Sequence, residues 1–364
     1  MRRFIKFSNL LLVGILLVLA SCNYDDDLLG GGGLTPPSSV PSEPTKPSEP
    51  TKPSEPTKPS EPSTPEEPSN PDVPVDPFTP SLDDMTFYRP KTQTSQIKCD
   101  RVFEYLPAPG QFINELKTGG FDGTQTTMAA ANEYAIGRIE KNIWVSLGAF
   151  GGYIVVGFDH SIVNTGGYDF AVTGNSFQNS SEPGIVWVMK DENGDGQPND
   201  TWYELAGSEF GQSQTIQNYE VTYYRPTEPK SPVRWTDNQG GSGEVDYLES
   251  FHNQDYYYPL WVEADSYTLK GTKLKEKSYD QSGNGSYWVL PEFEWGYADN
   301  FSKTDRVNRN SKDNRFMISN AVDADGNEVI LPYIDFVKVQ TGVQAKCSWL
   351  GETSTEIQGV YNLN

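Results

Sequence analysis

An oxygen-rich loop from Asp191 to Asp200 carries the clearest metal-binding pattern in this 364-residue chain. Its sequence is DENGDGQPND, and its start fits the pattern D-x-[DN]-x-[DN]-G. Oxygens at the first, third and fifth positions of such a loop converge on one point, and the glycine permits the sharp turn that adds a backbone carbonyl. We therefore predict a structural calcium site with these ligands: Asp191, Asn193, Asp195, the Gln197 carbonyl and Asp200.

The same loop departs from an EF-hand at its twelfth position. A bidentate glutamate is expected there, and Trp202 occupies the position. Asp200 would close the calcium shell instead, as in calcium loops that join strands. A polar hairpin turn is the alternative interpretation, because Asp, Asn and Gly are also turn-forming residues.

Signatures of catalysis are sparse. The chain has two histidines, His160 and His252, which are too few for a zinc site, and no G-x-S-x-G elbow accompanies them. Both are therefore expected to be structural or to lie in loops. Fifty acidic residues leave open a pair of carboxylates of the kind that glycosidases use. The candidates for such a pair are Glu182, Glu204, Glu292 and Glu294.

Aromatic residues concentrate in three polar segments, HNQDYYYP, DQSGNGSYW and EFEWGYADN. Aromatic faces stack on sugar rings or on a flat macrocycle, and neighbouring amides and carboxylates supply directional hydrogen bonds. Packing into a core is the competing interpretation for many of these residues. The predicted ligand contacts are Tyr256, Tyr257, Tyr258, Trp261, Tyr287, Trp288, Trp295 and Tyr297.

Strands must position these side chains, because alternation of β-branched and aromatic residues dominates the pattern. Residues 151–205 hold three strand runs, the oxygen-rich loop and a fourth run. A helix is indicated only at Thr126–Ile139, capped by Thr126 or Thr127. The pattern predicts an all-β fold, a two-sheet jelly-roll-like β-sandwich with long loops and one or two short helices. Further strands are predicted at Ile143–Leu147, Tyr219–Tyr224, Val233–Thr236, Tyr257–Val262, Tyr267–Leu269, Tyr287–Leu290 and Val329–Val339.

Residues 1–22 have the pattern of a signal peptide. Three basic residues precede an apolar run that is too short to span a membrane. The segment ends in LASC, which resembles a bacterial lipobox, so Cys22 is expected to be the lipidated first residue of the mature protein. The lipid would then be the protein's only contact with the membrane.

Residues 23–81 are predicted to be an export signal and a linker. The acidic run NYDDD after Cys22 resembles the surface-export signal of Bacteroidetes lipoproteins, with a solvated acidic tail as the alternative. The PSEPTK repeats that follow have almost no apolar side chains and predict a disordered, extended spacer. The folded domain is therefore expected at residues 82–364, displayed at the cell surface.

The formal net charge of −22 argues against nucleic acid as a partner, because phosphate binding needs a basic face. Apart from Cys22, the chain contains only Cys99 and Cys347. Disulfides persist outside the inner membrane, so a Cys99–Cys347 disulfide is predicted, with two unrelated buried thiols as the alternative.

Four segments, VFEYLPAPGQF, GGYIVVGFD, EPGIV and WLGETSTE, resemble a family of bacterial surface lipoproteins usually called cell surface proteins. The resemblance covers nearly the whole folded domain. It implies a Bacteroidetes-like origin, a jelly roll similar to galactose-binding-like modules, and a place in nutrient capture at the outer membrane. Some such lipoproteins resemble those encoded beside corrinoid-uptake systems. The resemblance carries over no catalytic residue.

Together these observations predict a calcium-stabilised, non-catalytic surface lipoprotein. It would capture a small-molecule ligand, either a glycan or a corrinoid such as vitamin B12, for a TonB-dependent outer-membrane transporter. Two alternatives stay open. One is a carbohydrate-active hydrolase with paired carboxylates, and the other is an accessory subunit whose aromatic loops dock a transporter.

Overall fold

Antiparallel strand pairing organises the computed structural model, which describes residues 85–116, 121–307 and 311–364. These residues fall within one compact unit. The predicted signal peptide with Cys22 and the predicted linker at 23–81 lie outside the described residues. Within the described ranges, no helix is both long and apolar enough to cross a membrane.

Most strands are short, and the three longest are β3, β7 and β15. The strands are β1 (Arg101–Leu106), β2 (Val145–Ser146), β3 (Tyr153–Val163), β4 (Phe170–Thr173), β5 (Gly184–Met189), β6 (Tyr203–Leu205), β7 (Ile216–Tyr224), β8 (Val233–Asp237), β9 (Ser242–Val245), β10 (Ser266–Lys273), β11 (Tyr279–Asp280), β12 (Trp288–Val289), β13 (Asp313–Phe316), β14 (Ala321–Val322), β15 (Tyr333–Thr341), β16 (Glu356–Ile357) and β17 (Gly359–Asn362). An α-helix, α1, spans Met128–Glu140, and 3-10 turns lie at Ile318–Asn320 and Ser348–Leu350.

The largest sheet has six strands in the order β1-β3-β15-β5-β6-β14. A four-stranded sheet has the order β10-β7-β8-β9, and a three-stranded sheet has the order β13-β4-β17. Two small sheets pair β11 with β12 and β16 with β2. Neighbouring strands in these sheets run antiparallel.

The main core lies between the six-stranded and three-stranded sheets. Val156 and Val337 of the large sheet share it with Phe170 and Phe316, whose rings stack at 5.3 Å. Ala131 on one face of α1 also packs there. Two sheets that share one apolar core form a sandwich, so the predicted all-β fold is confirmed. The jelly-roll topology stays a prediction.

Helix α1 begins close to its predicted position. The Thr127 hydroxyl oxygen accepts a hydrogen bond from the Ala130 N–H at 3.3 Å, as an N-cap does. The small residues Ala131 and Ala135 are fully buried on the face that contacts the main core.

The strand predicted at Tyr257–Val262 is wrong, because this segment forms turns. The Asn114 side-chain amide donates to the carbonyls of Tyr256 and Tyr258 at 2.9 and 2.8 Å, so side-chain contacts satisfy groups that a sheet would pair. The rings of Tyr257 and Tyr258 enter a second core, built on the four-stranded sheet.

Residues 97–99 lie beside β17, although more than two hundred residues separate them in the chain. The Cys99 N–H donates to the Val360 carbonyl at 2.9 Å, and the Asn362 N–H donates to the Ile97 carbonyl at 2.7 Å. Residues 97–99 are therefore held by a strand that is remote from them in the sequence.

Candidate functional site

A cavity of about 220 Å³ opens where four segments of the chain meet. The segments lie within residues 111–112, 177–182, 286–290 and 347–356. They are remote in sequence, so the cavity exists only in the folded domain. Binding sites are usually concave and combine apolar walls with a few polar groups, and this cavity has both.

Aromatic rings form much of its wall. The aromatic residues that line the cavity are Phe112, Phe177, Tyr287, Trp288 and Trp349. Phe177 and Tyr287 are 45% and 51% exposed, so their faces are open to a ligand. The buried indole nitrogen of Trp288 has no hydrogen-bond partner within the described ranges. The aromatic rings therefore present apolar faces to a ligand in the cavity.

Carboxyl groups form the polar part of the cavity. Glu182, Glu352 and Glu356 line it, and Asp299 lies next to them. Carboxyl oxygens of Glu182, Asp299 and Glu356 all lie within 4.8 Å of one another. We refer to Glu182, Asp299, Glu352 and Glu356 as the acid cluster. Apart from the half-buried Glu182, its members are at most 6% exposed.

Backbone amides hold Asp299 at the centre of the acid cluster. Its Oδ1 accepts hydrogen bonds from the N–H groups of Asn175 and Ser176, each at 2.7 Å, and its Oδ2 accepts one from Glu356 at 3.0 Å. A Cβ on Gly174 would lie 2.5 Å from Asp299 Oδ1, so only glycine allows this approach.

Hydrogen bonds also hold Glu356 and Glu182 in place. Glu356 opens β16, and its carboxyl accepts a hydrogen bond from the Asn175 side-chain amide. The Glu182 N–H donates to the Asp299 carbonyl at 3.0 Å, two residues before β5 begins. Glu182 Oε1 accepts a hydrogen bond from the Ser354 N–H at 3.3 Å. Three distant segments are thereby joined around one group of carboxyls.

Only one of the two carboxyl oxygens of Glu352 has a hydrogen-bond partner within the described residues. Its Oε1 accepts a hydrogen bond from the Gln111 N–H at 2.7 Å. Its buried Oε2 has no hydrogen-bond partner within the described part of the chain. A buried carboxyl oxygen without a partner is costly, so it marks a place where a ligand group would be stabilising.

A buried histidine fixes Gln111. His252 Nε2 lies 3.0 Å from Gln111 Oε1, and His252 Nδ1 lies 3.1 Å from Glu115 Oε1. The Gln111 amide nitrogen donates to the Leu350 carbonyl at 2.7 Å, which leaves its oxygen facing the ring. Both ring nitrogens therefore face side-chain oxygens. His160, also buried, contacts Asp159 and Asn362.

Burial raises the pKa of every carboxyl in the acid cluster. The pKa values of Glu182 and Glu356 lie well above the usual range, because burial and then repulsion by neighbouring carboxyls disfavour the charged form. Burial raises the pKa of Asp299 to about 7, against the opposing effect of its three N–H donors. Burial also raises the pKa of Glu352 to about 8. The cluster therefore holds protons near neutral pH unless a cation replaces them.

Two of the eight predicted ligand contacts, Tyr287 and Trp288, line the cavity. Tyr257, Tyr258, Trp261 and Tyr297 are at most 5% exposed and belong to the hydrophobic cores, contrary to the prediction. The physical reason is that their polar atoms find internal partners. The Trp261 indole N–H, for example, donates to the Tyr105 carbonyl at 3.0 Å. Tyr256 and Trp295 are half-buried and do not line the cavity.

Glu182 is the one predicted glycosidase carboxylate that lies in the cavity wall. Glu204 is buried elsewhere, where it accepts a hydrogen bond from the Thr272 hydroxyl at 2.5 Å. Glu292 forms an ion pair with Lys303 at 3.4 Å, and Glu294 is exposed. These three are not placed to act together with Glu182.

The predicted calcium loop, residues 191–200, joins β5 to β6, which pair as a hairpin. Its side-chain oxygens accept hydrogen bonds from the loop's own backbone. Asp191 binds the N–H groups of Gly194 and Gly196 at 2.7 and 2.9 Å, and Asp195 binds that of Gln197 at 2.8 Å. These contacts preform the turn that either a calcium loop or a polar hairpin requires. The calcium site there stays a prediction.

The two cysteines are free, buried thiols, so the predicted Cys99–Cys347 disulfide is wrong. Cys99 packs in the main core beside β17. Cys347 lines the cavity, with its Sγ 4.0 Å from the Thr353 hydroxyl. The two side chains therefore lie in different parts of the domain.

Sequence reasoning missed most of the acid cluster and three of the cavity's aromatic residues. One signal was available in the segment WLGETSTE, where Glu352, Ser354 and Glu356 alternate. Alternate residues of an extended segment point to one side, and all three line the cavity. Asp299 had no comparable signal, because its role depends on contacts that only the fold creates. No protein-family model matches this chain, and no curated protein matches its sequence.

Proposed function

We propose that the domain binds a sugar, without changing it, in the cavity lined by Trp288 and Trp349. The observation that carries the proposal is the combination of open aromatic faces with buried carboxyl groups in one cavity. Aromatic faces pack on the apolar C–H faces of sugar rings, and carboxyl groups bond to hydroxyls.

The size of the cavity favours a sugar over a corrinoid. Sites for drug-sized ligands usually measure about 300–1,000 Å³, and this cavity has about 220 Å³. It therefore fits a single ring, such as the end of a glycan. A corrinoid macrocycle would have to lie across the mouth, in contact with the exposed rings of Phe177 and Tyr287.

The amino-terminal sequence supports a place at the cell surface. The LASC motif, the acidic run and the PSEPTK repeats suit a lipid anchor followed by a long spacer. We place the domain there as the capture component of a TonB-dependent uptake system. Exposure to external protease in intact cells, with loss of anchoring in Cys22→Ala, tests this placement.

Calorimetry against a panel of monosaccharides, oligosaccharides, cobalamin and cobinamide tests the ligand. We expect a sugar to bind, and Trp288→Ala or Trp349→Ala to weaken that binding by about 2 kcal/mol, roughly 30-fold. Trp295→Ala is the matched control, because that half-buried tryptophan lies outside the cavity. Equal losses in all three variants, or binding of corrinoids alone, would contradict the proposal.

Glycoside hydrolysis is the second candidate function. Glu182 and Glu356 line one cavity, and their carboxyl oxygens lie within 4.8 Å of each other. Retaining glycosidases hold their two carboxyls about 5–5.5 Å apart, with one protonated at working pH. Product analysis of the same mixtures decides between the two functions. Turnover that Glu356→Gln abolishes would establish hydrolysis, and unchanged sugars would favour binding alone.

A further inference from the structure

We infer that the acid cluster is a calcium site, in which Glu182, Asp299 and Glu356 bind one Ca²⁺ beside the Glu352 carboxyl. The site is distinct from the loop at 191–200 and does not depend on sugar binding, because the ion would bind with the cavity otherwise empty.

The spacing of the oxygens fits this ion. Ca²⁺ binds oxygen at about 2.3–2.6 Å, so two oxygens on one ion are at most about 5 Å apart. Ligand oxygens of Glu182, Asp299 and Glu356 lie within 4.8 Å of one another. Mg²⁺ needs shorter bonds and near-ideal octahedral geometry. A set of carboxylates without imidazole favours a hard cation.

Glu352 gives independent support. It is 6% exposed and lines the same cavity as Glu182 and Glu356, and its Oε2 has no hydrogen-bond partner within the described residues. A buried, unpartnered carboxyl oxygen is unfavourable on its own. A divalent cation beside it would supply the missing opposite charge.

Charge balance points the same way. Repulsion from neighbouring carboxyls adds to burial in raising the pKa values of Glu182 and Glu356, and burial alone raises that of Asp299. Lys312 opposes this effect on Asp299, and Arg138 opposes it on Glu356, but burial is the larger cause in both cases. Other titratable groups that act on the cluster are Asp246 and Cys347. A bound cation would offset the repulsion among these carboxyls.

The test is calorimetric titration of the purified full chain, stripped with chelator, using Ca²⁺ alone at pH 8. The loop is silenced first with Asp195→Asn and Asp200→Asn, so that any remaining binding belongs to another site. We expect one Ca²⁺ to bind in this background. Glu356→Gln and Glu182→Gln should each weaken it at least tenfold, because each removes a charged ligand oxygen.

Glu204→Gln is the matched control, since Glu204 is a buried glutamate with a raised pKa outside the cavity. It should leave calcium affinity unchanged. No calcium binding to the loop-silenced chain at millimolar Ca²⁺ would overturn the inference, as would equal affinity in the Glu356→Gln and Glu204→Gln variants. Tighter binding of Mg²⁺ than of Ca²⁺ would overturn the choice of ion. Sugar titrations in chelator test the proposed function separately.

Discussion

The loop at 191–200 and the acid cluster are both rich in carboxyl groups, but they use them in opposite ways. In the loop, the carboxyls of Asp191 and Asp195 accept hydrogen bonds from amides within five residues, and those from Asn199 and Gln197 lower the pKa of the exposed Asp195. In the cluster, the carboxyls come from distant segments, and burial raises their pKa values.

The difference shows that the charge state of a carboxyl depends on whether its contacts are local or come from the tertiary structure. Short-range hydrogen bonds in the loop favour the charged form of Asp195, which is the form that binds a cation. A buried cluster must give up protons before it binds a cation, so its affinity depends on pH. The first kind is visible in a sequence motif, and the second requires the tertiary structure.

The largest expected effect separates the two regions by stability. Asp299→Ala should lower the free energy of unfolding by about 3 kcal/mol or more, because three buried N–H groups lose their acceptor. Asp195→Ala removes exposed contacts and should cost far less. Urea unfolding in chelator measures both. Asp299→Asn, which keeps one acceptor oxygen, should fall between them, and equal losses in the two alanine variants would remove the distinction.

A calcium ion in the loop should give the next largest effect. Calcium at a hundred times its Kd stabilises a native state by about 2.7 kcal/mol, so adding chelator should lower the melting temperature. The melting temperature should be measured in the Glu356→Gln variant, because this substitution removes the calcium response expected from the acid cluster. In that background Asp195→Asn should abolish the difference. Identical melting with calcium and with chelator would favour the hairpin-turn interpretation.

The pH dependence of stability should be weaker but opposite in sign for the two regions. In chelator, native Glu352 and Asp299 keep protons up to pKa values of about 8 and about 7. Unfolded carboxyls lose theirs near pH 4. The native state therefore binds more protons, and the melting temperature should fall as pH rises from 5 to 8. Glu352→Gln should flatten this fall, and a flat profile in the parent protein would contradict the raised values.

The lowered pKa of Asp195 works the other way. Its contribution is present above the unfolded pKa and is lost as pH falls through the native one. An Asp195→Asn variant should therefore be less stable than the parent near neutral pH, and the difference should disappear in acid, in the same melting experiments.

The smallest effect concerns the two thiols. Burial raises the pKa of both Cys99 and Cys347 to about 11, so both should react slowly in the native protein. Cys347 should be labelled first, because it lines the cavity. Mass spectrometry after timed labelling measures the order. Absence of free thiols at Cys99 and Cys347 after denaturation without reductant would restore the disulfide.

Much of the fold could be predicted where local pattern and tertiary role agree. The β-branched runs at β3 and β5 and the capped helix α1 lie close to their predicted positions. The tyrosines at 257–258 misled the prediction, because their strand-like composition serves a core reached from turns. Short strands such as β16 depend on partners far away in the chain, so a single sequence gave them no signal.

The candidate site divides in the same manner. Tyr287 and Trp288 were predicted as ligand contacts because aromatic clusters are visible in the sequence, and Glu182 was named as one candidate carboxylate. Asp299 and Glu356 were missed, because an acidic residue becomes chemically unusual only through its burial and neighbours. The sequence does not show which of fifty acids will be buried together.

The contact between residues 97–99 and β17 can form only late in synthesis of the domain. Cys99 and Ile97 cannot complete their backbone pairing until Val360 and Asn362 have been synthesised. β17 also completes one edge of the sheet with β4. Residues 97–99 therefore wait for β17, and a chain made from its amino end forms this contact only after β17 has been synthesised.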